Sequence, residues 1–285
     1  MGSFIDFHMH SSASDGKDSP GVLFEKIKTL GVTHFSLTDH DTIDGAREME
    51  NLVKKDASGI AFVRGIEFSC ITSLGKCHLL GYRYDWDNEA FRDILSKGAG
   101  LRKGKLEQRL TFLRDQYNIV FPKEDVDKMR QMGSVGKPHM AEIMVRMGIA
   151  DTISEAITKY IDNCPTSDSR IPADEVIGAI RESGGISVWA HPFGGVGEPR
   201  IERSVFQEQL KYLKTVGLQG LECFYSRYSS DEIEELKVAA EKNNLFISGG
   251  SDYHGRKKYP PIGTLNMEKK EVEMVELSIC KDLFG

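Results

Sequence analysis

Short apolar, β-rich runs alternate with amphipathic helical stretches through most of the chain, and this alternation restricts the fold more than any other feature. Strands joined by helical crossovers run parallel, so the pattern calls for a mostly parallel sheet or barrel. The expected strands are Phe4 to Phe7, His34 to Leu37, Ile60 to Glu67, Cys77 to Tyr82, Gly185 to Trp189, Gly220 to Phe224 and Leu245 to Ser248. Ser19-Pro20 opens the first helix, because proline is tolerated in a first helical turn. Val22, Leu23, Ile27 and Leu30 then fall at helical spacing before Gly31 closes it. Further helices are expected over Asp44 to Lys54, Pro172 to Glu182, Arg203 to Val216 and Asp231 to Asn243.

The rhythm breaks between residues 95 and 165, where helical patterns follow one another without a strand-like run. Leu101, Leu106, Leu110 and Leu113 make one stripe, Val126 and Met129 a second, Ile143, Met144 and Met147 a third, and Ile153, Ile157 and Ile161 a fourth. Such stripes are core packing. The expected division is therefore a barrel in two parts, 1–94 and 166–285, with 95–165 as a helical insertion capping it. A (β/α) barrel can use all 285 residues as one unit.

Residues able to do chemistry gather at the ends of the expected strands. His8 and His10 follow the first as H-x-H, and the two-residue period points both rings to one side, where they can share an ion. Asp15 follows in the next loop. Asp39, His40 and Asp41 close the second strand, Glu67 the third, His78 lies in the fourth, His191 follows Trp189, and Asp252 with His254 follows the last. The loops at the C-terminal ends of barrel strands form the active site, so this placement predicts one convergent site. Imidazole and carboxylate without thiolate suit catalytic zinc, manganese or iron. Five cysteines with no CxxC pair argue against a disulfide framework or a zinc knuckle, and Cys70, Cys77 and Cys223 are expected as small buried hydrophobes.

Charge narrows the partners. With 37 Lys and Arg against 43 Asp and Glu, the net charge is −6, which disfavours a broad face for duplex nucleic acid but not a small phosphorylated substrate. No apolar run reaches the roughly 18 residues of a membrane helix. The first ten residues carry Asp6 and two histidines where a secretory signal needs a basic start and an apolar stretch, so a cytoplasmic protein is expected.

The segments F-I-D-F-H-M-H-S-S-A-S-D-G (4 to 16), L-T-D-H-D-T (37 to 42), G-I-E-F-S (65 to 69), A-H-P (190 to 192) and G-G-S-D-Y-H-G (249 to 255) resemble, in order, the motif series of the PHP (polymerase and histidinol phosphatase) superfamily. The insertion segment G-K-P-H-M-A-E-I-M-V-R-M-G (136 to 148), C-P (164 to 165) and G-L-E-C-F-Y-S-R-Y (220 to 228) resemble its branch of nucleoside 3′,5′-bisphosphate phosphatases and 5′-to-3′ exoribonucleases. The resemblance implies a distorted seven-stranded, TIM-like (β/α) barrel and three divalent ions, of manganese, iron or zinc. Carried over by motif position, His8, His10, Glu67 and Asp252 would hold the first, Glu67, His78 and His191 the second, and Asp15, His40 and His254 the third.

The chain departs from the family pattern in three places. Lys137 stands where arginine is common, which replaces a planar fork with a point charge. Thr166, Ser167, Asp168, Ser169 and Arg170 make a polar linker where an apolar one is usual, and the segment after His191 is Gly-rich and longer than expected. The expected reaction is metal-assisted hydrolysis of a phosphate ester in a small nucleotide or short RNA. Lys137, His139, Arg227, Arg102 and Lys105 are candidates to hold a second phosphate, with Arg102 and Lys105 side by side on a helix. Asp41 and His254 are candidates for the general acid. The rival readings are a histidinol-phosphate-type monophosphatase, an exonuclease on short RNA 5′-phosphates and a noncatalytic metal-binding module.

Overall fold

The computed structural model describes residues 4–132, 134–166, 168–256 and 259–285, so Ser167 of the polar linker lies outside them. In chain order the elements are β1 (Phe4–Asp6), α1 (Pro20–Leu30), β2 (Val32–Leu37), α2 (Asp44–Lys55), β3 (Ala61–Thr72), β4 (Gly75–Tyr82), α3 (Glu89–Tyr117), α4 (Lys123–Gln131), α5 (Lys137–Arg146), α6 (Ile153–Lys159), β5 (Ile171–Pro172), α7 (Ala173–Glu182), β6 (Ile186–Trp189), α8 (Arg203–Thr215), β7 (Gly220–Tyr225), α9 (Ser230–Lys242), β8 (Phe246–Gly250) and α10 (Cys280–Phe284). Helix α1 forms as its sequence requires: Ser19 caps it by accepting from the Val22 amide, Pro20 starts it, and Gly31 ends it in the left-handed conformation.

The sheet runs β1-β2-β3-β4-β6-β7-β8, with the two-residue β5 paired to β3 off this path. Most pairs are parallel, as helical crossovers demand, but β4 lies antiparallel to both β3 and β6. The two-residue link between β3 and β4 leaves no room for a crossover, so these strands must form a hairpin. β3 also runs on to Thr72, and Glu67, expected to close that strand, lies inside it. Because β4 is reversed, its N-terminal half, which carries His78, lies at the end where the parallel strands finish. The amide of Phe7 donates to Gly249 O at 3.2 Å, which joins the C-terminal side of β1 to β8.

Two separate apolar clusters bear on the insertion. The larger joins sheet residues such as Phe68, Leu79 and Leu221 to α7 and to Phe91 and Ile94 of α3, while Leu106, Leu113, Met140, Met144 and Ile161 form a second one. The expected boundary at 94/95 thus falls within α3, a 29-residue helix that begins on the sheet and ends in the insertion. Among the described residues no helix is long and apolar enough to cross a membrane. The five cysteines are free, with Cys70, Cys77, Cys223 and Cys280 buried.

Candidate metal centre

H-x-H follows β1 in extended backbone, so His8 and His10 share a side while Met9 between them is buried in another cluster and bridges to Tyr253. Both imidazoles are wholly buried, and their Nε2 atoms stand 3.2 Å apart. That approach needs a shared partner. Glu67 of β3, also wholly buried, supplies it: Oε2 lies 3.3 Å from His8 Nε2, 3.2 Å from His10 Nε2 and 3.0 Å from His40 Nδ1. Its other oxygen lies 3.0 Å from His78 Nδ1 and 3.0 Å from His191 Nε2. Asp252 Oδ1 lies 3.3 Å from His10 Nε2, 3.6 Å from His8 Nε2 and 3.4 Å from His254 Nδ1, and Asp15 Oδ1 lies 3.1 Å from His254 Nε2.

All nine residues expected from the sequence thus meet in one cluster, though not in three separate sets. His10 links two of them, since its Nδ1 faces Asp15 at 3.8 Å while its Nε2 faces Asp252 and Glu67. His10, Asp15, His40 and His254 together present donor atoms within reach of one ion. The backbone is strained at three of the strand ends involved, with positive φ at Asp41, His191 and Asp252.

The electrostatics fit a cation site. Burial opposes protonation of His8, yet Glu222 and Glu67 outweigh it and raise that ring well above the ordinary range. His10 is pushed up to about 10 against the same burial, by Asp252 and Glu67. His40 goes the other way, to about 4, because burial dominates. Burial also works against ionisation of Glu67, Asp15 and Asp252, but the surrounding imidazoles hold all three low. Four buried atoms, Glu67 Oε2, Asp15 Oδ1, His10 Nδ1 and His40 Nδ1, lack an aligned hydrogen bond although each faces another donor atom closely. Lone pairs converging in this way suit a divalent ion, and the nitrogen and oxygen donor set suits manganese, iron or zinc.

Several further residues surround the cluster, of which Glu222 and Tyr225 went unmarked as site residues in the sequence. Glu222 of β7 accepts from His8 Nδ1 at 2.8 Å and from the His191 amide at 2.7 Å. Tyr225 donates to Asp252 Oδ2 at 2.7 Å, and Asp39 accepts from Ser11 and Ser14. Asp6 ties β1 to the loop after β8 by accepting from the amides of His8, Ser251 and Gly263, and burial raises its carboxyl to about 6. A charged residue in an otherwise apolar strand, as in Gly-Leu-Glu-Cys-Phe-Tyr, was the signal available for Glu222.

The candidates for phosphate contact divide. Arg102 pairs with Asp41 and donates to Ser69 Oγ at 2.9 Å, while the other Asp41 oxygen accepts from the Ser69 amide at 2.8 Å. Both oxygens of this candidate general acid thus accept from fixed donors. Both nitrogens of His254, the other candidate, face oxygens, at Asp15 and at Asp252 O. Lys105 donates to Ser169 Oγ at 3.3 Å, and burial, with Arg109 and Arg170 nearby, lowers its ammonium to about 8. Lys137 is paired to Asp162. His139 accepts from the Gly136 amide and is close enough to Asp15 to feel its charge. Arg227 donates to Gly195 O at 2.7 Å, which fastens the loop after His191.

Known proteins resemble this chain along most of its length. The family model for the PHP domain matches residues 6–164. The chain is 25% identical over 272 residues to a 5′-3′ exoribonuclease of Salmonella typhimurium, covering 90% of each chain. It is 25% identical over 256 residues to a 3′,5′-nucleoside bisphosphate phosphatase of Chromobacterium violaceum, covering 88% of this chain and 87% of that one. It is also 25% identical over 270 residues to a phosphoribosyl 1,2-cyclic phosphate 1,2-diphosphodiesterase of Eggerthella lenta, covering 90% and 97%. Among solved structures, an amidohydrolase from Chromobacterium violaceum with bound sulfate superposes with a TM-score of 0.81 at 22% identity, covering 99% of this chain and 96% of that one. The match over more than half its length places the chain in the PHP domain family.

Proposed function

We propose that this chain removes the 3′-phosphate from nucleoside 3′,5′-bisphosphates, and that short 5′-phosphorylated oligoribonucleotides are a second substrate class. It is a metal-dependent phosphoesterase, a hydrolase of phosphate esters. The observation that carries the reading is the single buried cluster of His8, His10, Asp15, His40, Glu67, His78, His191, Asp252 and His254, built from nitrogen and oxygen donors. We assign these residues to three divalent ions with Glu67 shared, inside a sheet closed as a distorted seven-stranded barrel and capped by 95–165. Bound there, the ions would supply an activated water and neutralise charge on the phosphoryl oxygens.

The residues of the chain do the rest. Lys105, Arg109 and Arg170 concentrate positive charge where the insertion meets the sheet, which favours a substrate with a second phosphate. Arg109 is buried, with a guanidinium nitrogen that has no hydrogen-bond partner among the described residues, as a waiting anion ligand would be.

The test offers metal-reconstituted protein adenosine 3′,5′-bisphosphate, AMP, histidinol phosphate, a cyclic phosphodiester and a 5′-phosphorylated oligoribonucleotide, following phosphate and nucleotide products. Turnover of the bisphosphate well above AMP is expected. Preference for histidinol phosphate or the cyclic ester would overturn the substrate assignment, and inactivity on all five with metal bound would overturn the phosphoesterase reading.

A further inference from the structure

The loop after His191, Gly-rich and unlike the family pattern, turns back onto the ring it follows. The Gly194 amide donates to His191 O at 2.8 Å, and the Glu198 amide to Gly195 O at 3.2 Å. Two glycines allow this. Gly194 has φ +100°, and a Cβ there would stand 2.5 Å from Pro199 O. A Cβ on Gly195 would stand 3.0 Å from His191 Nδ1, a tight contact that a bare backbone avoids as the loop lies against the imidazole. The loop thereby delivers Glu198, whose Oε2 lies 3.2 Å from His191 Nδ1 and accepts from the Gly195 amide at 2.8 Å.

An ionised carboxylate oxygen only accepts, so the nitrogen it faces carries the ring proton. With an ion bound, His191 Nε2 would then be the free donor, and it lies 3.0 Å from Glu67. The same device operates on the other side of the cluster, where Glu222 takes His8 Nδ1 at 2.8 Å and leaves Nε2 facing Glu67. Glu222 also fixes the His191 backbone by accepting its amide. His191 is therefore held at both its main chain and its far nitrogen. Arg227, bonded to Gly195 O, anchors the loop from β7.

We propose that Glu198 is a positioning residue that holds His191 as an Nε2 donor for an ion shared with Glu67 and His78. This rests on the metal reading of the cluster. Partners of this kind typically contribute about 10–100-fold to metal affinity. Gly195 is part of the device, because a Cβ there would press on the His191 ring and shift it by a few tenths of an ångström.

Zinc binding to the metal-free protein tests it, by calorimetric titration and by zinc content after dialysis, with the melting temperature of the metal-free form measured alongside. Glu198→Ala is expected to weaken one class of zinc site by about 10–100-fold, leaving the others and the metal-free melt as in the wild type. Glu198→Gln, whose amide oxygen can still accept from Nδ1, should recover most of the loss, and Gly195→Ala should reproduce it. Unchanged zinc affinity in Glu198→Ala would overturn the proposal, as would an equal drop in the metal-free melt, which marks a merely structural role. Equal loss in Glu198→Gln would make the carboxylate itself a ligand and overturn positioning. A wild-type protein that binds no zinc, manganese or iron at all would instead overturn the metal reading and this inference with it.

Discussion

Gly250, at the end of β8, tests how closely the cluster depends on the packing of two strands. A Cβ built there would stand 2.3 Å from His8 Cβ, 2.5 Å from His8 N and 2.8 Å from His8 Cα, where ordinary contact begins near 3.4 Å. Gly250→Ala must therefore open the β1–β8 seam by about 1 Å, and the obstacle is main chain rather than a side chain that can swing aside. The seam is held by Phe7 N to Gly249 O at 3.2 Å and by Asp252 N to His8 O at 2.8 Å. Overpacking of this kind costs about 1–3 kcal/mol, and each strained or broken backbone bond adds about 0.5–1.5 kcal/mol. The expected destabilisation is about 2–6 kcal/mol, a large share of a typical 5–15 kcal/mol stability. At about 2–4 °C per kcal/mol, the metal-free melting temperature should fall by roughly 4–24 °C. His8 and Asp252 stand on either side of the seam, so metal content should fall as well. The control is Gly100→Ala in α3, where an added Cβ meets nothing within 4 Å; there alanine should stabilise by about 0.5–1 kcal/mol. Calorimetric melts and metal analysis of the three proteins decide the matter. A Gly250→Ala protein that melts within a degree of wild type and keeps its metals would refute the reasoning.

Other predictions are as direct. Glu67→Gln should cost two of the three assigned ions, measured as metal per chain after dialysis, and a full complement would contradict the shared carboxylate. Lys105 is held near 8, chiefly by burial and then by Arg109 and Arg170. It is charged below that pH and neutral above it, so KM for a bisphosphate should rise as pH passes through 8; Lys105→Arg should flatten the profile, and an unchanged profile would remove Lys105 from substrate binding. Leu113 is fully buried in the insertion cluster. Leu113→Ala should cost about 2–5 kcal/mol in the melt while leaving zinc affinity at 25 °C intact, whereas lost affinity would mean the two clusters fold as one.

Most of the helices were legible because their signals are local. Ser19, Pro20 and Gly31 mark the ends of α1 within one turn, and Ser229 with Glu232 closes a capping box on α9. The nine clustered residues were legible because strand ends carry chemistry in sheets of this kind and because motif order survives along the chain. The hairpin was not. An apolar strand reads alike whether its partner is parallel or antiparallel, and only the two-residue link between Thr72 and Gly75 betrays the reversal. Glu198 and Glu222 were missed for opposite reasons: one sits in a loop with no periodicity, the other among apolar neighbours that read simply as a buried strand. Arg109 falls within the insertion helix and reads as an ordinary surface charge until the fold buries it.

The β1–β8 seam also dictates the order in which the cluster can be assembled. His8 and His10 are made about 240 residues before Asp252 and His254, and a ribosome adds about 5–20 residues per second. For tens of seconds the first two imidazoles have neither Asp252 nor the β8 backbone to lie against. Loop closure across such a span follows the local helices and the β3–β4 hairpin, so ion capture by the complete set must wait until β8 and Asp252 have been made. A nascent chain stalled before Asp252 would hold most of the donors and still lack the carboxylate that joins His8, His10 and His254.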